Sequence, residues 1–509
     1  MYSTVSTAIL HGIESIRIQV EVDVSDGLPS FDMVGMLSAG VREARERVRV
    51  SLKNCGYQLP VKRITVNLYP ADIPKSGTGF DLPIAIGILS AMGVIPAEKL
   101  KDTMIVGEVN LNGEIHPVRG ILSMVCAAKE QGFCKCVIPD GNKEEGALVG
   151  GICIYPVKNL KEAVDILLHD KKDAYRSTKK TQTKKETPDF SEIKGQEILK
   201  RACEIAVAGR HHLLMVGPPG AGKTMAARCI PSILPQMTEE ECMETSKIYS
   251  AAGLLNEKEG LLSNRPLRAP HHSITTAAMA GGGQRPTPGE ISLAHKGVLF
   301  LDELTEFKAD ALELLRQPLE EKKIVIARVG YCVTYPADFM LVCAMNPCKC
   351  GYFPDVGRCH CTQATLSRYI GKISQPLLDR MDLCVEVPRA EYAKLSGRQK
   401  GLSSAQMKEH IKRARKMQKE RFAKEHYDYN SSLPPADLDL YAPLGETEQK
   451  FMESVYQKKN LTARTMHKIR KVARTIADLD EREEITLSDL MEAMCYRSIE
   501  RSFWERRMS

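Results

Sequence analysis

No stretch of this sequence is long and apolar enough to span a bilayer. The longest apolar run, Leu82 to Pro96, carries two glycines and two prolines and falls short of the ~20 residues a transmembrane helix needs. The first residues, MYSTVSTAILHGIES, lack the basic stretch and small-residue cleavage site of a secretory signal. No charge of one sign dominates: the formal net charge is +7, which allows nucleic-acid binding without demanding it. No repeat of fixed period and no thioredoxin-like C-x-x-C occurs. These absences argue against a membrane-embedded or secreted protein. They predict a cytoplasmic chain with no membrane partner, whose 16 cysteines are mostly reduced thiols.

What is present is an ordinary globular composition, 43% apolar and 27% charged, over 509 residues. That length is too great for one core and suggests about three domains. Residues 170–188, DKKDAYRSTKKTQTKKETP, have almost no apolar content and read as a basic, solvated linker, with a DNA-contacting arm as the rarer alternative. Near 388–404 a β-rich half gives way to helical patterns. The expected division is therefore 1–169, the linker 170–188, 189–388 and 389–509.

The strongest motif is HLLMVGPPGAGKT, residues 212–224. An apolar strand runs into Gly217-Pro218-Pro219-Gly220-Ala221-Gly222-Lys223-Thr224, and a helix follows. This is the phosphate-binding loop in its required strand–loop–helix setting. Glycines let backbone N–H groups converge on phosphate oxygens, Lys223 reaches the β- and γ-phosphates, and Thr224 ligates Mg²⁺. A second apolar run, Val298 to Leu301, ends in Asp302-Glu303, placing a Mg²⁺ ligand (Asp302) and a water-orienting carboxylate (Glu303) at a strand end. A third, Phe339 to Met345, ends in Asn346, whose amide is suited to the γ-phosphate or the water, or is an ordinary turn residue.

Taken with Leu301-Asp-Glu-Leu304 and Pro376-Leu-Leu-Asp-Arg-Met-Asp382, these motifs resemble an AAA+ ATPase, in the branch shared by magnesium-chelatase small subunits and MCM helicases. Residues 268–304, RAPHHSITTAAMAGGGQRPTPGEISLAHKGVLFLDEL, carry a closer resemblance to the ComM/YifB family of magnesium-chelatase-like proteins. The resemblance covers nearly the whole chain. It implies an α/β fold with an AAA+ phosphate-loop core, an N-terminal Lon-protease-like α/β domain and a C-terminal all-helical lid. It also implies a homo-oligomeric ring, usually a hexamer, with ATP and Mg²⁺ at subunit boundaries and DNA as partner. FSEIKGQ (190–196) resembles the segment bordering the adenine, which assigns Ile193 and Gly195 to the nucleotide. Arg380 would be an arginine finger acting in trans, an effect worth about 10³–10⁵ in rate in comparable phosphoryl transfers; a salt bridge to Asp379 or Asp382 is the structural alternative. ARTMHKIRKVARTIADL (463–479) resembles the lid helix with a second sensor, for which Arg464 is favoured over Arg470 and Arg474.

Residues 62–138 resemble the Lon-type proteolytic fold, which uses a serine nucleophile and a lysine. Here Pro74-Lys75-Ser76-Gly77-Thr78 has no serine after Gly77, and Val118-Arg119-Gly120-Ile121-Leu122 has leucine at the lysine position. A serine cannot attack an amide without a base, so the domain is expected to be catalytically inactive, with Ser76 in a turn.

The span from the phosphate loop to Asp302 exceeds what a βαβ connection needs. Its glycine-rich part, Ala278 to Pro286, is unsuited to a helix interior, and Lys322 to Pro336 reads as a hairpin. In the related helicases, insertions at these places point into the pore. Arg285 and Arg328 are thus candidates for sequence-independent phosphate contacts, with subunit packing the alternative. His271-His272 lack a carboxylate at ligand spacing and are expected to point apart. Beyond residue 404, AQMKEHIKRARKMQKERFAKEH is a basic amphipathic pattern, and Lys468, Arg470, Lys471 and Arg474 add cationic surface, suited to nucleic acid or to solvent alike.

Finally, Cys348-x-Cys350 and Cys359-x-Cys361 flank eight residues of a glycine- and proline-containing turn. The pattern suits a structural Zn²⁺, with His360 able to replace one thiolate; reduced unliganded thiols and a redox pair are the alternatives.

Overall fold

In the first sheet, alternation of β-branched and polar residues sets which face is buried. The computed structural model describes residues 1–169, 173–177, 187–255, 260–283, 286–328, 331–355, 357–389, 401–459 and 461–497. Most of the basic linker, Arg285 and the side chain of Arg328 lie outside the described residues. Strand β1 (Tyr2–His11) pairs antiparallel with β2 (Glu14–Ser25) through a turn at Gly12. Ile18, Val20, Val22 and Val24 of β2 are all buried, the period of two that a one-sided core requires. With β3 (Ser30–Val34), β4 (Arg63–Tyr69), β5 (Thr103–Ile105), β6 (Lys135–Pro139) and β7 (Cys153–Val157) they form a mixed sheet in the order β3-β4-β2-β1-β5-β6-β7. The long apolar run becomes α1 (Asp81–Ala91), buried along its whole length against β1 and β2. Gly87 permits that approach, since a Cβ there would meet Val22 Cγ2 at 2.8 Å.

The second sheet is entirely parallel. It contains β8 (Leu213–Val216), β9 (Leu267–Arg268), β10 (Val298–Leu301), β13 (Met340–Met345) and β14 (Leu383–Glu386), in the order β9-β10-β13-β8-β14. The continuous apolar runs have a plain cause: both faces are covered. Leu213, Met215, Phe300 and Val342 turn to one cluster, while Leu214, Val216, Leu301 and Cys343 turn to the other. Between β10 and β13 stands the expected hairpin, β11 (Lys323–Arg328) with β12 (Tyr331–Pro336). This parallel α/β unit fits an AAA+ core.

The first apolar cluster runs on into C-terminal helices α2 (Ser404–Arg421), α3 (Ala463–Leu479) and α4 (Leu487–Cys495), through Ile411, Ile469, Ile476 and Leu490. The second takes in Ile13 from the β1–β2 turn and Val333 from β12. The N-terminal unit therefore packs against the hairpin. Among the described residues no helix is long and apolar enough to cross a membrane.

Candidate nucleotide site

Gly217 sits where three strand ends converge. Its N–H donates to Met345 O at 3.2 Å, and a Cβ there would stand 2.2 Å from Val387 O, so only glycine fits. Gly220 and Gly222 adopt φ of +76° and +95°, backbone conformations that glycine takes without cost. Lys223 begins the following helix and is 7% exposed. Its ammonium donates to Gly217 O at 2.6 Å, Pro218 O at 2.9 Å and Asn346 Oδ1 at 3.3 Å. Burial lowers its pKa to about 8, with Asp302 opposing the shift. A desolvated cation bonded only to neutral oxygens is prepared for an anion.

Thr224 Oγ1 donates to Asp302 Oδ2 at 2.7 Å, so a hydroxyl and a carboxylate meet as the hard oxygen donors Mg²⁺ requires. Glu303 holds φ of +52°, left-handed for a non-glycine residue, and its N–H donates to Asp302 Oδ1 at 2.9 Å. Such backbone strain is characteristic of functional positions. Its carboxylate is 59% exposed and lies 3.2 Å from His272 Nδ1. The neighbouring histidines do not point apart as expected: their ring centroids are 4.0 Å apart. The rings of His272 and Phe307 pack edge to face. On the remaining flank, Ile193 is buried, Gly195 has φ of +68°, and Gln196 Nε2 donates to Ala221 O at 3.3 Å and Pro388 O at 2.5 Å. The segment 193–196 thus borders the phosphate loop.

Arg380 and Arg464 lie elsewhere. Gly217, Asp302 and Asn346 follow the C-terminal ends of β8, β10 and β13. The two arginines open on a cleft of about 360 Å³ lined by His212, Phe339 and Asp382, the residues just before β8, β13 and β14. At ~3.3 Å per residue, strands of this length separate the two edges by roughly 13–20 Å. Neither Asp379 nor Asp382 holds Arg380. Its Nη2 is 2.6 Å from Glu320 Oε1, its Nη1 donates to Pro376 O at 2.6 Å, and Arg464 Nη2 reaches the same Glu320 oxygen at 3.2 Å. The two competitors of Arg464 are occupied: Arg470 pairs with Asp439 at 2.7 Å, and Arg474 is buried against Asp478 at 3.1 Å. The cationic surface expected of α3 is largely internal, because Lys468 is bound to Asp382 at 2.9 Å and Lys471 donates to Ser431 O at 3.0 Å. Glu320 and His272 are the residues that sequence reasoning missed; neither belongs to a spaced motif, and only the fold brings each to its partner.

In the N-terminal sheet domain Leu122 is fully buried, Lys75 donates to the Pro70 carbonyl, and Ser76 is exposed. Cys348, Cys350, Cys359 and Cys361 gather their four Sγ atoms within 4.8 Å, while His360 is exposed and outside the group.

Family models match three segments: magnesium chelatase subunit ChlI over residues 189–395, its C-terminal part over 401–497, and a model described as subunit ChlI of Mg-chelatase over 20–142. Among individual proteins, the competence protein ComM of Haemophilus influenzae is 40% identical over 499 residues, covering 96% of each chain. YifB of Escherichia coli is 40% identical over 502 residues, covering 98% of this chain and 97% of its own. The magnesium-chelatase 38 kDa subunit of Cereibacter sphaeroides is 27% identical over 216 residues, 39% of this chain and 58% of that protein.

Proposed function

Because this chain belongs to the ComM/YifB family of magnesium-chelatase-like proteins, we propose that it is a ring-forming AAA+ ATPase that couples ATP hydrolysis to DNA remodelling. Its task in this reading is helicase-like branch migration of recombination intermediates, as in the integration of incoming DNA during natural transformation. One observation carries the shared-site part. The phosphate loop and the Arg380–Arg464 pair occupy opposite edges of one sheet, so a complete site takes two chains.

In that site Lys223 and the loop N–H groups hold the phosphates, Thr224 and Asp302 hold Mg²⁺, and Glu303 with Asn346 orients the attacking water. Mg²⁺ supplies charge neutralisation as the γ-phosphoryl is transferred. Arg380 and Arg464 of the adjoining chain, prepositioned on Glu320, exchange that carboxylate for phosphate charge. A hexamer closes the ring.

The DNA reading is supported by the competence designation of the Haemophilus relative. Arg285 and Arg328 are the proposed phosphate contacts, and the N-terminal domain is an inactive Lon-like module that braces the hairpin. A second reading, ATP-dependent remodelling of a metal-insertion partner, draws on the chelatase relative and on the chelatase description of the model over 20–142. Incubation with forked and four-way DNA separates the two. Strand exchange that requires ATP and weakens as salt rises supports the DNA motor, because phosphate contacts release counterions. An ATPase indifferent to DNA at low salt favours the second reading.

A further inference from the structure

The segment that follows Asn346 returns on itself so that four sulfurs converge with no bond among them. Cys348 Sγ lies 3.2 Å from Cys350 Sγ and 3.8 Å from Cys359 Sγ; Cys350 Sγ lies 3.6 Å from Cys359 Sγ and 3.5 Å from Cys361 Sγ. Four thiolates at ~2.3 Å from one zinc stand ~3.8 Å apart along each edge of the tetrahedron. Those four separations lie at or just under that edge, and all four sulfurs fall within 4.8 Å of one another. A redox pair would single out two sulfurs, whereas Cys350 is close to all three others.

The surroundings match a closed metal site. Cys348 and Cys359 are buried, and Phe353, Leu366 and Tyr369 pack in the same cluster. The Phe353 N–H donates to Cys348 Sγ at 3.4 Å, the kind of outer contact that orients a metal-bound thiolate. Burial pushes the Cys348 thiol up to about 12. Burial acts the same way on Cys350, but the Tyr352 N–H and the neighbouring thiols overcome it and hold that thiol down at about 7. Zinc binding at a four-sulfur site displaces the thiol protons.

The loop is also a wall of the nucleotide site. A Cβ on Gly351 would stand 2.7 Å from Pro219 Cδ of the phosphate loop. Gly217 and Pro218 face Tyr352, Phe353 and Pro354 across a cleft of about 350 Å³. Pro347 is all that separates Asn346, with its contact to Lys223, from Cys348. A short turn with few apolar residues of its own needs a cross-link to hold such a position.

The geometry points to a structural zinc site, Cys348–Cys350–Cys359–Cys361, that fixes the loop carrying Asn346 against the phosphate loop. The binding site stands on the sulfur geometry; its consequence for nucleotide rests on the ATPase reading above. Elemental analysis of the full chain, purified without a metal-binding tag, tests the first part. The expected result is about one zinc per chain, as a four-sulfur site holds a single ion. Cobalt substitution should give the charge-transfer absorption of a tetrahedral tetrathiolate. Cys350→Ser with Cys361→Ser should lose the metal, and His360→Ala should keep it. Should the serine variant fail to fold, mercurial titration of the unaltered protein releases the ion, and a metal-sensitive dye counts it. A metal-free preparation that takes up neither zinc nor cobalt overturns the site. For the second part, released zinc should weaken binding of a fluorescent ADP and lower the melting temperature. Zinc present, with ADP binding unchanged on its release, overturns the coupling to nucleotide and leaves the metal site standing.

Discussion

Lys223 makes nucleotide affinity depend on pH in a way that can be worked out in advance. In the nucleotide-free chain, burial holds its pKa at about 8 instead of 10.5. Bound phosphates favour the ammonium and raise that pKa again. Between pH 8 and 10.5 the complex thus carries a proton that the free chain lacks, so binding must take one up. Affinity is steady below pH 8 and falls as pH rises through it, by about tenfold per unit, or ~1.4 kcal/mol. From pH 7 to pH 9 the loss should be about tenfold overall. Titration of a fluorescent ATP at fixed ionic strength measures this, with Glu303→Gln as background to prevent turnover. Lys223→Arg is the control: a guanidinium stays charged throughout, and its curve should be flat. Equal affinities at pH 7 and 9 for the unaltered lysine would refute the claim that its ammonium is desolvated against the loop carbonyls.

Other consequences follow from the same geometry. Glu303→Gln keeps the backbone and the Asp302–Thr224 pair, so it should bind ATP, hydrolyse it poorly and hold the ring assembled, as size-exclusion chromatography with ATP would show. His272→Ala frees the Glu303 carboxylate from its only imidazole partner among the described residues; kcat should change while nucleotide affinity does not. Arg474→Ala strips the buried Asp478 of one of its two guanidinium partners and should cost about 3 kcal/mol in urea unfolding. Arg464→Ala, on an exposed side chain, should cost almost nothing in the same assay and act on turnover instead.

The phosphate loop, Asp302-Glu303 and Asn346 were readable because each ends a strand buried on both faces, and such strands are continuous apolar runs. The cysteine cluster was readable because its members are close in sequence. Glu320 was not, since it gains meaning only when Arg380, 60 residues on, and Arg464, 144 residues on, fold back to one carboxylate. Lys468 and Arg474 were misread as surface for a related reason. Lys468 gains Asp382 only through the fold, whereas Asp478 stands four residues from Arg474 on the same helix and what the sequence hides is the burial of that pair. His272 was set aside as a poor metal ligand; its partner turned out to be Glu303.

The most direct test of a site shared between two chains is mixing. Lys223→Ala spoils the phosphate-loop edge of a chain and leaves Arg380 intact, while Arg380→Ala does the reverse. Each alone should be without ATPase activity. Rings assembled from both should recover part of it, with a maximum at an intermediate ratio, because some boundaries then join an intact Lys223 to an intact Arg380. Absence of recovery at every ratio, with both variants shown to co-assemble, would contradict the account.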